Sequence, residues 1–225
     1  MTEAKAILVH QHGGSDAMSY ETVQLDAPRG SEVLLRQTAI GVNFIDCYHR
    51  SGLYPVPTPL TPGMEGIGII EAVGPDVTLF EPGQRVCYGN GPLGGYASKR
   101  LVPEGNLVAV PDGLDDSKIG GTILRGLTAW YLIERMRSLE PGTTVLFHAA
   151  AGGVGSIACQ WAKHLGATVI GTVGSPDKAR LARSNGCDHP ILYNDEDFVA
   201  RVAEITGGKG VDVVYDSVGQ ATFMQ

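Results

Sequence analysis

The run Ala149-Ala150-Ala151-Gly152-Gly153-Val154-Gly155 lies between an apolar stretch, Thr144 to His148, and a stretch with helical spacing, Ser156 to Leu165. A strand, a glycine-rich turn and a helix in that order make a cradle for phosphate, because backbone N–H groups at the start of the helix face an anion. Aligned to G-x-G-x-x-G, Ala150 takes the first place, Gly152 the second and Gly155 the third. These places serve a tight turn, close approach of a pyrophosphate and close packing of helix on strand. Gly/Ala-rich turns are common; the flanking strand and helix make this one a dinucleotide site, held by Ala150, Gly152, Gly153, Val154 and Gly155.

The next strand-like run, Thr168 to Val173, decides which dinucleotide. In NAD-binding folds its end carries a carboxylate that accepts hydrogen bonds from the adenosine ribose hydroxyls. Here Val173 or Gly174 holds that place, and Gly174-Ser175-Pro176-Asp177-Lys178 follows. The sequence thus lacks an acid that would repel a 2′-phosphate and offers it a hydroxyl and an ammonium. NADPH is the expected cofactor, with Ser175 and Lys178 offered to the phosphate beside Gly174. Two bland roles remain open: Lys178 as a solvated residue of a first helical turn, and Asp177 as its partner or as an acid serving the helix N-terminus.

The elements that position these groups change character along the chain. Up to about residue 115, short strand-like runs alternate with Gly and Pro: Lys5 to His10, Glu32 to Ile40, Gly66 to Val73, Arg85 to Tyr88 and Tyr96 to Val102. Gly41 to Asp46 leads from a strand into a short helix, and Tyr54 to Pro59 is a proline-stiffened loop. From Asp116 the spacing is helical, with Ile119, Ile123, Leu127, Trp130, Tyr131 and Ile133 near one face until Pro141-Gly142. Thereafter strands alternate with helices: Thr144 to His148, Thr168 to Val173, His189 to Tyr193 and Val211 to Asp216, separated by helices that include Pro176 to Asn185 and Glu196 to Thr206. That order predicts a parallel sheet. The expected division is a β-rich domain over residues 1–122 and a Rossmann-type, doubly wound α/β domain over 123–225. A sheet of order 3-2-1-4-5-6 needs two further strands, so the reading expects a C-terminally truncated domain with an open apolar edge at Val211 to Tyr215.

Composition excludes several classes. With 43% hydrophobic and 18% charged residues over 225 positions, the chain can bury a substantial core. A net charge of −7 without a Lys/Arg run argues against nucleic acid as the main partner. No apolar run reaches spanning length, so no membrane partner is expected and a cytoplasmic location is. The four cysteines, Cys47, Cys87, Cys159 and Cys187, form no C-x-x-C pair and suit reduced thiols.

Five ordered motifs carry a resemblance across nearly the whole chain: Gly41-Val42-Asn43-Phe44-Ile45-Asp46, Arg50-Ser51-Gly52-Leu53-Tyr54, Gly63-Met64-Glu65-Gly66, His148 to Gly155, and Tyr215-Asp216-Ser217-Val218-Gly219. Together they resemble the medium-chain dehydrogenase/reductase superfamily, and within it the zinc-independent quinone oxidoreductases related to zeta-crystallin. The resemblance implies a GroES-like catalytic domain joined to a Rossmann domain, and a homodimer or larger oligomer. By that resemblance, zinc-dependent members have a cysteine ligand where Asn43 or its neighbour stands and a histidine ligand where Met64 stands. Amide and thioether do not replace thiolate and imidazole, so no metal is expected, and Cys47 lacks a histidine at useful spacing. Without a Lewis acid, acceptors already primed for hydride become the natural substrates.

The implied activity is reduction of a quinone by NADPH. By resemblance, Asn43, Asp46, Tyr48, Tyr54 and Thr128 surround the nicotinamide and substrate, Tyr193 joins the adenosine end, and Ser217 also contacts the cofactor. Asn43, Tyr48 and Tyr54 are the candidate catalytic residues. Tyr48 and Tyr54 read equally as packing aromatics, Asp46 as a helix cap or partner of Arg50, and His148 as a structural histidine. Two rivals stand beside this reading: a zinc-free enoyl or alkenal reductase acting on a conjugated carbonyl, and a non-catalytic NADPH-binding protein of crystallin or regulatory type.

Overall fold

The computed structural model describes residues 1–225. The chain forms two compact units, Met1–Leu124 and Arg125–Gln225.

The first unit is built on antiparallel sheet. β1 (Thr2–Val9) and β2 (Met18–Leu25) form a hairpin, while β3 (Glu32–Ile40), β4 (Gly66–Val73), β5 (Arg85–Tyr88), β6 (Lys99–Pro103) and β7 (Val108–Ala109) form a five-stranded sheet of order β6-β3-β4-β5-β7. Val33, Leu35, Ile70, Val86 and Val102 pack its core with the ring of Tyr88. β2 escaped sequence reading because its apolar residues change face midway, Met18 and Tyr20 on one and Val23 and Leu25 on the other, and neither face is fully buried. The expected strand from Tyr96 begins only at Lys99. Tyr96 to Ser98 instead run along β1, with Ile7 N–H bonded to the Tyr96 carbonyl and Ser98 N–H to that of Lys5. Between β3 and β4 lies α1 (Phe44–Ser51), closed by Gly52 in the left-handed region at φ 80°.

The single helical segment expected after Asp116 is interrupted. α2 (Asp116–Gly120) stops where Gly120 meets Ala39; a Cβ on this glycine would stand 2.8 Å from the Ala39 methyl carbon. α3 (Ile123–Trp130) follows and widens into a π-helical turn over Tyr131–Met136. Within this turn the Leu132 carbonyl accepts from Arg137 N–H at 3.3 Å. Here the Tyr215 hydroxyl donates to the Leu132 carbonyl at 3.2 Å.

The second unit is a four-stranded parallel sheet. β8 (Thr144–Phe147), β9 (Thr168–Val173), β10 (His189–Leu192) and β11 (Val213–Tyr215) take the order β10-β9-β8-β11. α4 (Gly153–His164), α5 (Pro176–Ser184) and α6 (Phe198–Thr206) connect them. Alternate strand residues feed two cores: Val145, Phe147 and Val169 pack with α4, α5 and Ala129 of α3, whereas Leu146, Ile170 and Ile191 pack with Val202 of α6. The sheet is therefore doubly wound, as its buried alternation dictates. β11 lies at one edge and leaves Val214 half exposed.

Candidate active site

In the second unit the site is made mostly of backbone. After β8 the chain turns at Ala149, a non-glycine residue at φ 57°, a conformation that costs a residue with a Cβ about 1–2 kcal/mol. Gly152 N–H closes the turn on the Ala149 carbonyl at 2.8 Å, and Ala150 N–H bonds the Thr172 carbonyl of β9 at 3.1 Å. The left-handed residue is thus Ala149, and Ala150, the next residue of the same turn, is fully buried. Gly155 packs α4 against the turn: a Cβ there would lie 2.4 Å from the Ala149 carbonyl oxygen. α4 starts at Gly153 behind Gly152, with no side-chain cap and no acid in its first turn. An uncapped helix N-terminus of this kind accepts an anion.

The end of β9 carries no carboxylate. Ser175 caps α5 by accepting from Lys178 N–H at 3.3 Å. A Cβ on Gly174 would stand 2.7 Å from the Tyr193 hydroxyl oxygen, and Asn194 Nδ2 donates to the Gly174 carbonyl at 2.9 Å. Gly174, Ser175, Lys178 and Tyr193 are thereby brought to one corner of the unit. Asp177 pairs with Arg180, three residues along, and not with Lys178. Beside this corner, His148, Ala149, Thr172, Tyr193 and Val218 line a pocket of about 270 Å³ at the carboxyl ends of the strands. Ligands of open α/β sheets bind at such ends. His148 is buried, with Nδ1 2.9 Å from Thr172 Oγ1 and its ring edge-on to Phe198, and burial holds its pKa below the ordinary histidine value. Thr128 lies half-buried in α3, and Ser217 is exposed in a bend fixed by the Asp216 carboxylate, which accepts from Val218 N–H at 2.7 Å and Gly219 N–H at 3.0 Å.

In the first unit the site is made of side chains. Asn43 precedes α1, and its N–H donates to Asp46 Oδ2 at 2.9 Å. The same carboxylate oxygen accepts from the Tyr96 hydroxyl at 2.8 Å. Burial, reinforced by this carboxylate, pushes the Tyr96 phenol well above its usual range. Asp46 is only 4% exposed and serves the helix end, whereas Arg50 Nε donates to the Gly13 carbonyl. Asn43 Nδ2 donates to Glu65 Oε1 at 2.7 Å, and Glu65 Oε2 accepts from Leu124 N–H at 2.7 Å. Glu65 has no exposed surface. Both Glu65 oxygens accept, which fixes the Asn43 amide nitrogen toward Glu65, while the Asn43 side chain also pairs with the Asp46 backbone in a capping box. Gly41 makes room for Glu65: a Cβ there would fall 1.9 Å from Glu65 Oε1.

Beside this buried network lies an aromatic group. Phe44 and Tyr48 meet edge to face at 5.3 Å, and Tyr48 and Tyr54 lie 5.1 Å apart. Phe44 and Tyr54 are exposed. Asn43, Asp46, Tyr48 and Tyr54 are thus gathered by α1 and the turn that follows it. Glu65, Gly41 and Tyr96 were missed as functional supports; a lone acid among glycines at the start of an apolar strand was the available signal for Glu65.

Comparison with known proteins gives the family. The alcohol dehydrogenase GroES-like domain matches residues 29–112, and the zinc-binding dehydrogenase family matches residues 153–225. The residues present do not fit the zinc of that second name, because nowhere do three His, Cys, Asp or Glu side chains come together, and the Asn43 amide nitrogen faces Glu65. A quinone oxidoreductase of Pseudomonas aeruginosa is 50% identical, and a 2-haloacrylate reductase of Burkholderia sp is 49% identical; each alignment covers 98% of this chain and 68% of the relative. The crystal structure of Escherichia coli quinone oxidoreductase complexed with NADPH superposes with a TM-score of 0.96 at 43% identity, over 98% of this chain and 68% of that one. Sequence identity at this level, carried through both units, means that the chain belongs to the quinone oxidoreductases of the medium-chain dehydrogenase/reductase superfamily.

Proposed function

We propose that this chain is an NADPH-dependent quinone reductase that works without zinc, with residues 1–122 holding the substrate and 123–225 the cofactor. The observation that carries the reading is the aromatic group Phe44-Tyr48-Tyr54 beside an amide held by a fully buried carboxylate. A flat apolar acceptor stacks on such a surface, and Asn43 is fixed before any ligand arrives.

The residues of the second unit fit NADPH. The uncapped start of α4 suits the pyrophosphate, and the acid-free corner of Gly174, Ser175, Lys178 and Tyr193 suits the 2′-phosphate. When bound, this cofactor supplies a hydride. Glu65 holds the Asn43 amide in place, Asp46 holds the α1 terminus that carries Asn43, and the aromatic group excludes water from the acceptor. Tyr48, Tyr54 or water delivers the proton that the reduced quinone needs. Thr128 and Ser217 are assigned to the cofactor by the same reading.

The test is turnover of 1,4-benzoquinone and 9,10-phenanthrenequinone against 2-alkenals, with NADPH and with NADH. Quinones are expected to react fastest and NADPH to be preferred. Faster reduction of alkenals would replace the proposal with conjugated-carbonyl reduction, and NADPH binding without turnover would replace it with a non-catalytic role. A cytoplasmic location and a homo-oligomeric state accompany the reading, the second checked by sedimentation. No helix is long and apolar enough to cross a membrane.

A further inference from the structure

Tyr54 stands in a segment that the core does not hold. From Ser51 to Pro57 only Gly52 and Val56 are half-buried, and Tyr54 itself is 48% exposed. Gly52 N–H and Tyr54 N–H bond back to α1, at the His49 and Tyr48 carbonyls, and the chain then runs on through Pro55 without a strand or helix.

A second restraint comes from the far side of the unit's sequence, at His12. Its Nε2 lies 3.0 Å from the Val56 carbonyl oxygen and its Nδ1 3.3 Å from that of Arg50, so one ring spans both ends of the segment. Carbonyl oxygens only accept; a neutral imidazole donates to one of the two and an imidazolium to both. The ring is itself held in place. Val9 and Leu60 exchange backbone hydrogen bonds at 2.8 and 3.1 Å, and Gly13 N–H donates to the Arg50 carbonyl at 3.1 Å. Gly52 leaves room for the imidazole, since a Cβ there would stand 3.0 Å from His12 Cγ. Between the two clipped carbonyls the chain presents Tyr54, whose ring lies 5.1 Å from that of Tyr48.

We propose that His12 is a positioning residue for the quinone, clipping Arg50 to Val56 so that Tyr54 stays against Tyr48; this rests on the reading of the aromatic group as the surface that takes the acceptor. His12 acts through Tyr54, and the cofactor does not depend on it.

The test is steady-state kinetics of the whole chain with NADPH and 9,10-phenanthrenequinone. Three variants are compared, each with and without Tyr54→Ala: His12→Phe keeps a ring without donors, His12→Gln keeps an amide donor, and His12→Ala keeps neither. His12→Phe is expected to raise the quinone KM about fivefold, the scale of one ordinary hydrogen bond, and to leave NADPH affinity by fluorescence titration unchanged. His12→Gln should recover part of the loss. In the Tyr54→Ala background no change at His12 should raise KM further, because no ring remains to be placed. An unchanged KM in His12→Phe overturns the proposal, as does an equal rise with and without Tyr54, a parallel loss of NADPH affinity, or no recovery in His12→Gln. Should His12→Phe fail to fold, His12→Ala takes its place with the same outcomes. If the unmodified chain turns over no quinone with NADPH, the functional reading beneath fails, and the clip is judged by deuterium uptake at the Gly52 and Tyr54 amides. Faster uptake in His12→Phe is then expected, and unchanged uptake overturns the clip.

Discussion

The two units build their candidate sites from different materials. Around α4, position is set by backbone and by missing side chains: Gly155 beneath the Ala149 carbonyl, Gly174 beneath Tyr193, and Gly152 closing the turn. Around α1 it is set by buried side chains in mutual contact, with Glu65 holding Asn43 and Asp46 holding Tyr96. A backbone site tolerates no added carbon, whereas a side-chain site tolerates no lost hydrogen bond. The first kind fails by collision and the second by leaving polar groups unpaired.

The largest effect is expected where the side-chain half is broken. Glu65→Leu removes the acceptor for Asn43 Nδ2 and Leu124 N–H in an unexposed place, and should cost about 2–5 kcal/mol in urea unfolding and reduce kcat. Full stability in this variant would refute the contrast. Gly155→Val breaks the backbone half by collision; a loss of about 1–3 kcal/mol and at least about tenfold weaker NADPH binding are expected. Unaltered affinity by fluorescence would show that the loop has room to shift.

Smaller changes sharpen the comparison. Lys178→Ala should lower the NADPH over NADH preference about tenfold, with little effect on NADH itself. His148 is held below its ordinary pKa by burial, so the unfolded chain takes up its proton first on acidification. Stability should therefore fall as pH drops below about 6.5 towards the folded value, and His148→Gln should lessen that slope in thermal melts. Ala149→Gly relieves the left-handed turn at the expense of a looser unfolded chain, and should stabilise by about 0.5–1 kcal/mol.

The same contrast explains what could be read from the sequence. Glycine spacing is a local code, because the residues that collide with Gly155 lie a few positions away; the loop, the acid-free end of β9 and the doubly wound order were all legible. The left-handed conformation of Ala149 was not legible, since a left-handed alanine carries no compositional mark. Asn43 and Glu65 are 22 positions apart, and Asp46 and Tyr96 are 50 apart. Only the folded β-rich unit joins them, so no window of sequence contains the network. β2 was illegible for another reason: its apolar residues change face midway, so no single apolar face gives the strand away.

The widened turn over Tyr131–Met136 ties the start of the second unit to the far edge of its sheet. The Tyr215 hydroxyl reaches back 83 positions to Leu132, while its ring packs against Phe147. Releasing β11 from β8 must also withdraw that hydroxyl and strip the turn of its crosslink. Deuterium uptake at the amides of residues 131–136 and 213–215 would then rise in step, as one cooperative opening.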